Sequence, residues 1–227
     1  MAEIITLPNL RDSSLLAYWR LEGNSNDVQG TYNGTDTAIT YSLANGKFGQ
    51  GAGFNGTSSK IATALTLNTY SNFSISTWVR ATSQANEQLI FANDGAGFDN
   101  SFQIGIGPEK NSTGLGTNKR FEVDYQRASD SSRLFCTDTI DIPINTWISY
   151  CFTYDGSNMR LYRDGNLVAT TALASATFSS TVVTIGSRGA DRYWNGAIDD
   201  IAIYSRALTA NEAKEIYNLQ SSFFQLF

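Results

Sequence analysis

The chain contains no histidine. That excludes every His-based catalytic triad and every His-ligated metal site, since imidazole is the side chain whose charge changes near neutral pH and is the commonest nitrogen ligand. Only 2 cysteines are present, too few for a four-thiolate zinc site or a disulfide-dense scaffold. Charged residues make up 16% of the chain, against about 25% in an average globular protein. Its polarity therefore comes from Ser, Thr, Asn and Gln. No stretch approaches the roughly 18 apolar residues of a membrane-spanning helix, so no membrane span is expected. The first residues lack a basic start followed by a long apolar core, so no secretory signal is visible. Lys and Arg total 16 against 21 Asp and Glu, a formal charge of −5 with a pI near 4.7. That balance argues against nucleic acid or an anionic membrane as a partner.

What is present points to a large β domain. The 227 residues are 41% hydrophobic and 12% aromatic, enough for a sizeable core and too apolar for disorder. Turn dipeptides recur through the chain: Asn33-Gly34, Asn45-Gly46, Asn55-Gly56, Asp94-Gly95, Asp155-Gly156, Asp164-Gly165 and Asn195-Gly196. With only 3 prolines between them, they predict antiparallel strands rather than alternating strands and helices. Period-2 runs lie between the turns. Phe73–Val79 sets Phe73, Ile75 and Val79 on one face, and Phe121–Tyr125 sets Phe121, Val123 and Tyr125 inward. Trp147–Tyr154 and Met159–Arg163 flank a hairpin loop at Asp155–Asn158, and Leu161–Val168 turns at Asp164-Gly165. Val182–Ile185 and Ala197–Tyr204 complete the strands.

One segment departs from this pattern. Thr209 and Glu212 have capping-box spacing, and Ala213, Ile216, Tyr217 and Leu219 follow at helical spacing, so a short helix is expected over about 211–219. The expected organisation is an N-terminal arm (1–13), one β-sandwich (14–219) and an apolar tail (220–227). Trp19, Trp78 and Trp147 are expected in the core, which is also the alternative place for Trp194. Cys136 and Cys151 lie symmetrically about Pro143. A hairpin there would let the thiols face each other and bond; otherwise they are two reduced, buried thiols.

The residues that carry a resemblance are Leu16–Gly23 with Asn26-Asp27, Gly46–Gly49 followed by Ala52–Gly56, Phe73–Val79, Asn145–Gly156 with Leu161–Gly165, and Ile185-Gly186, Trp194–Asp199, Ile203–Leu208 with Glu212. Together, in this order, they resemble the laminin G-like modules of the concanavalin A-like lectin and glucanase group. The resemblance implies an all-β jelly roll, an antiparallel sandwich of two curved sheets with one short C-terminal helix. It implies no single function, because one fold carries many.

Three constellations are candidates for chemistry. Laminarinase-type glycoside hydrolases, which share this fold, carry Glu-x-Asp-x-Glu on a concave strand, and Glu122, Asp124 and Gln126 fall on one face as that motif requires. The acid/base position is Gln126 here, or Arg127 in the longer form of the motif, and neither donates and recovers a proton as a carboxylic acid does. A calcium ion, by analogy with related sandwiches, would join the N-terminal loop to the C-terminal strand through Asp27, Asn55 and Asp199; Asn55 lowers the charge where many relatives have Asp. Asp199 and Asp200 are expected on opposite faces of their strand. Two loop clusters combine aromatic and polar side chains suited to glycan contact: Trp194, Tyr193, Arg192, Asp191 and Arg188 in one, and Asn93, Asp94, Phe98, Asp99 and Asn100 in the other.

The reading is a non-catalytic surface recognition or adhesion module, extracellular or on a virion, with a glycan, a surface protein or neighbouring virion subunits as partner. The rival is a laminarinase-type hydrolase using Glu122 and Asp124.

Overall fold

The computed structural model describes residues 12–85, 87–94, 100–107 and 119–222. Phe98, Asp99, the far N-terminal arm and the last five residues lie outside the described residues. In chain order the strands are β1 (Leu15–Trp19), β2 (Thr35–Thr37), β3 (Thr40–Ser42), β4 (Gly51–Asn55), β5 (Lys60–Ala62), β6 (Phe73–Ala81), β7 (Gln88–Ala92) and β8 (Phe102–Ile106). They continue with β9 (Arg120–Gln126), β10 (Arg133–Asp141), β11 (Ile148–Tyr154), β12 (Asn158–Arg163), β13 (Asn166–Ala172), β14 (Thr184–Ile185) and β15 (Asn195–Tyr204), and end in helix α1 (Ala210–Ser222).

They form two antiparallel sheets. One has the order β13-β12-β11-β6-β15-β4-β3, with β1 also paired to β15, and the other has β10-β9-β8-β7-β14-β5-β2. Sequence alternation decides which side chains enter the space between them. Phe73, Ile75 and Val79 of β6, Phe102, Ile104 and Ile106 of β8, and Phe121, Val123 and Tyr125 of β9 all lie in one core cluster. Edge-to-face aromatic pairs knit it together: Phe73 meets Phe178 at 5.0 Å and Phe102 at 5.3 Å between ring centroids. Each such pair adds about 0.5–1.5 kcal/mol beyond area burial.

The hairpins read from the sequence are present. Asp155 Oδ1 accepts from the Ser157 and Asn158 amides, closing the β11–β12 turn. Asp164 (φ 49°) and Gly165 (φ 70°) both take the left-handed conformation that a type I′ turn needs. Gly105 answers a different demand. A Cβ there would come within 2.0 Å of the Gln88 carbonyl, where β7 bulges between Leu89 and Phe91 against β8.

The outer face of the larger sheet is apolar and covered. Leu15, Tyr18, Cys151, Tyr162, Ala202, Tyr204, Leu208 and Ala213 form a second cluster there, with Ile216 of α1 packed on it. Trp78 stacks on Tyr217 of the helix at 5.8 Å and donates its Nε1–H to Gln220 Oε1 at 2.7 Å. The helix is capped as expected: the Glu212 amide donates to Thr209 Oγ1 (3.2 Å) and the Thr209 amide to Glu212 Oε2 (2.7 Å). Among the described residues no helix is long and apolar enough to cross a membrane, which says nothing of membrane β-barrels.

Several expectations are corrected. The helix runs on to Ser222, so Gln220 belongs to it rather than to a tail. Val182 and Val183 precede β14, which holds only Thr184 and Ile185. Trp147 is half-buried, with the Arg80 guanidinium 5.1 Å from its ring centroid, rather than in the core. Of the two readings of the cysteines the reduced one holds: Cys136 and Cys151 are free and buried. They sit in different sheets, because β10 pairs with β9 whereas β11 pairs with β6 and β12. Burial pushes the thiols up, Cys136 to about 11 and Cys151 to about 12, so both stay protonated and unreactive at neutral pH.

Candidate functional site

With one outer face covered by α1, the other sheet's outer face carries the polar residues. Its strand register stacks them in rungs. Ser101 continues β8 opposite Gln126 of β9, whose amide donates to the Ser101 carbonyl at 3.0 Å, and Gln126 pairs with Arg133 of β10. The next rung is Ala92, Gln103, Asp124 and Phe135, and the one beyond holds Gly105, Glu122 and Thr137. Extending the Ala92–Gln103 register by two residues sets Asp94 opposite Ser101. Period 2 explains the placement: while Phe102, Ile104, Phe121, Val123 and Tyr125 turn inward, their neighbours must turn outward.

These outward groups are unusually buried for an outer face. Gln103 is 0% exposed, and Glu122 and Asp124 are 1% exposed. Burial of that kind requires partners. Asp124 is held by the Arg133 guanidinium through two nitrogens, and Arg133 Nη1 also donates to Gln126 Oε1 at 3.1 Å. Thr137 Oγ1 donates to Glu122 Oε2 at 3.1 Å. The Gln103 amide is fixed at both ends: its Nε2 donates to Asp94 Oδ2 and its Oε1 accepts from Arg192 Nη1, each at 3.1 Å.

The two loop clusters of the sequence therefore meet. Arg188 Nε lies 3.4 Å from Asp94 Oδ2 and donates to Asp191 Oδ1 at 2.9 Å. Arg192 also pairs with Glu87 at 3.0 Å. The loop is pinned along β7, where the Leu89 amide donates to the Arg192 carbonyl and Leu89 bridges Tyr193. Burial pushes the Asp94 carboxyl above its usual range, against the pull of Arg188 and Arg192. Asp94 Oδ1 and Ser101 Oγ are buried and have no hydrogen-bond partner.

The expected ligand residues that fall within the described chain have definite places. Asp94, Asp191 and Arg192 converge as described, and Tyr193 is half-buried beside them. Asn100 lies next to Ser101, but its Oδ1 is taken by the Tyr125 hydroxyl and the Ala128 amide, both at 3.1 Å. Asp99 lies outside the described residues. Trp194 is corrected: it is 0% exposed and part of the core, with its amide donating to the Gly186 carbonyl. It offers no ring face to a ligand. Ser101, Gln103 and Arg133 were not singled out from sequence, although the alternation in Phe102–Ile106 already marks Gln103 as outward.

The expected calcium ligands Asp27, Asn55 and Asp199 are each engaged by backbone amides of the chain itself. Asp27 Oδ1 accepts from the Tyr18 and Gln29 amides and Oδ2 from the Thr31 and Tyr32 amides, at 2.8–3.1 Å. A carboxylate has about four lone-pair sites, so this one is saturated by its own loop. Asn55 Oδ1 accepts from the amides of Thr57, Ser58 and Ser59. Asn55 pairs with Asn195, four residues before Asp199 on β15, which is about 13 Å along a strand. Asp199 Oδ2 accepts from the Lys47 and Phe48 amides at 2.8 and 2.9 Å. Among the described residues no group of three acidic or sulfur side chains is placed to hold a metal.

Asp199 and Asp200 are not on opposite faces either. A bulge between Asp199 and Ala202, with Asp200 at φ 51°, breaks the alternation. Asp199 pairs with Trp78, and Asp200 Oδ1 accepts from the Tyr18 hydroxyl at 2.6 Å, so both lie on the helix side of the sheet. Burial, followed by repulsion from Asp200, holds the Asp199 carboxyl well above the usual range.

Comparison with known proteins agrees with this architecture. The family model described as the concanavalin A-like lectin/glucanases superfamily matches residues 55–214. Domain 4 of AbnA, a GH43 extracellular arabinanase from Geobacillus stearothermophilus, solved in complex with arabinotriose, superposes with a TM-score of 0.72 at 22% identity, covering 90% of this chain and 98% of that one. The botulinum neurotoxin type G receptor binding domain superposes with a TM-score of 0.66 at 20% identity, covering 92% of this chain and 52% of that one. At those identities the likeness is one of fold. An alpha-L-arabinofuranosidase of Bifidobacterium longum subsp. longum is 35% identical over 68 residues, which is 28% of this chain and 6% of that protein. The chain thus matches only a small part of the length of that curated relative.

Proposed function

This chain belongs to the concanavalin A-like lectin/glucanase superfamily, and we propose that within it the chain is a non-catalytic recognition module that holds a glycan against the outer face of the seven-stranded sheet. The observation that carries this reading is the set of ordered amide, carboxylate and guanidinium groups across β7–β10 and the 188–193 loop, fixed by mutual hydrogen bonds. Planar polar groups held rigidly on strands are what selective binding of hydroxyls requires, because the ordering cost is met before the ligand arrives. The likeness to a domain solved with arabinotriose supports a saccharide partner.

The same geometry weighs against hydrolysis. A retaining glycosidase needs two carboxyls about 5–5.5 Å apart, one a nucleophile and one a proton donor. Asp124 is tied up by Arg133, and an amide, Gln126, stands where the proton donor would be. Such a face binds and orients but does not shuttle protons. A sparsely charged, hydroxyl- and amide-rich surface suits an exterior setting, on a secreted protein or a virion.

Titration calorimetry with arabinotriose and a panel of β-glucan and galactan oligosaccharides tests the reading, with product analysis of the same mixtures. The expected result is saturable binding of at least one saccharide with no cleavage. Release of reducing ends that disappears in Glu122→Gln would establish the hydrolase instead. Co-purification with particles would distinguish a virion setting.

A further inference from the structure

The strand rung at the end of the polar face holds an unmet demand for hydrogen-bond partners. By extension of the β7–β8 register Asp94 and Ser101 stand opposite each other just beyond the ends of those strands, and both have a buried side-chain oxygen with no partner: Asp94 Oδ1 and Ser101 Oγ. The Asp94 side chain is 7% exposed and Ser101 is 1% exposed. Native proteins leave few such atoms, and each calls for a water or a ligand group. The other Asp94 oxygen is used by Gln103 and Arg188. Gln126 and Arg133, half-exposed on the same rung, carry it to the surface.

The charges around this rung define what can enter. Arg133 pairs with Asp124, Arg188 with Asp94 and Asp191, and Arg192 with Glu87. Glu122 adds a further carboxylate. Among the described residues, three guanidinium groups thus stand against five carboxylates, and each guanidinium already has an acidic partner. Among the unmet groups are an anionic acceptor, Asp94 Oδ1, and a hydroxyl, Ser101 Oγ.

Resting on the recognition reading above, we infer that Asp94 and Ser101 form a subsite for two neighbouring hydroxyls of an uncharged sugar residue, and that the module selects neutral over acidic glycans. One hydroxyl donates to Asp94 Oδ1, and its neighbour accepts from the Ser101 Oγ–H. Gln103, locked between Asp94 and Arg192, holds the carboxylate in place. A uronate or sulfate at this position meets the carboxylate surplus and is rejected.

The test uses the whole chain and calorimetry at low salt. The probes are neutral pentose and hexose oligosaccharides, set against galacturonate and sulfated oligosaccharides of equal length, with the Ser101→Ala and Asp94→Asn variants. The neutral members are expected to bind at least tenfold tighter than the acidic ones. Ser101→Ala is expected to weaken the best neutral ligand several-fold while leaving the unfolding midpoint unchanged or raised, since its hydroxyl has no protein partner to lose. Asp94→Asn is expected to weaken it at least tenfold. Acidic oligosaccharides that bind as tightly as neutral ones would overturn the inference, as would unchanged affinity in both variants. Either result would leave glycan recognition standing. Absence of binding by every saccharide would instead remove the recognition reading itself, and the subsite with it.

Discussion

Replacing Arg133 with alanine tests whether the polar face is as tightly interlocked as its geometry implies. Asp124 is 1% exposed, and its ion-pair partner is the Arg133 guanidinium, itself 21% exposed. Removing one member of a buried pair abandons the other charge in a poorly solvating site, at a cost of about 3–5 kcal/mol. Partial exposure of Arg133 lets water reach the gap, which places the expected loss near the lower end, about 3 kcal/mol. The variant also frees Gln126 Oε1. In a chain of this size each kcal/mol moves the unfolding midpoint by about 2–4 °C, so a drop of about 6–12 °C is expected. The double variant Asp124→Asn/Arg133→Met removes both charges and should recover most of that loss, because no unpaired charge remains. Thermal melts of parent, singles and double, read by circular dichroism, give the midpoints, and urea unfolding of the same set gives the coupling energy. A midpoint for Arg133→Ala within 2 °C of the parent (about 0.5–1 kcal/mol), or a double variant no better than that single, would refute the reasoning.

Other outcomes follow from the same structure. Asp199 has a folded pKa raised above its usual 3.8. The folded state therefore keeps the proton longer than the unfolded chain, and stability falls as pH rises through the window between those two values. Asp199→Asn should flatten that fall and be more stable than the parent at pH 8, but not at pH 3; a variant less stable at pH 8 would count against this, as would a midpoint that falls on adding EDTA. Trp194→Ala empties a fully buried site and should cost about 3–5 kcal/mol, so lost glycan binding should coincide with lost folding by circular dichroism. Thr209→Ala breaks the reciprocal cap of α1 and should cost about 1 kcal/mol, or about 2–4 °C in a thermal melt.

Local chemistry made most of the fold legible. Asp164-Gly165 encodes its own turn, Thr209 and Glu212 their own cap, and the alternation from Phe121 to Tyr125 its own two faces. Each of these signals is complete within a few residues. The site is different because its contacts are distant: Gln103 and Arg192 are 89 residues apart in sequence, and only the order of strands brings β8 beside β7 and the 188–193 loop beside both. For that reason Asp94, Asp191 and Arg192 were found as members of two loops, while Gln103 and Ser101 went unnoticed. Trp194 reads as a loop aromatic from its polar neighbours, yet the chain turns it into the core just before β15. The bonded alternative for the cysteines fails for a related reason. Symmetry about Pro143 suggests a hairpin, but the turn there passes the chain from one sheet to the other, and a crossover leaves no mark in local pattern. The bulge at Asp200, which brings two acids to one side, is equally silent in a sequence of alternating strands.

The most direct test of the central claim is a map of where a glycan lands. Backbone amide shifts of the labelled protein, followed during titration with the best-binding neutral oligosaccharide, should move for residues 92–94, 101–105, 122–126, 133–137 and 187–193, with the sugar recovered intact. Shifts confined to α1 and the outer face of β6, β11 and β15, or a cleaved sugar, would contradict it.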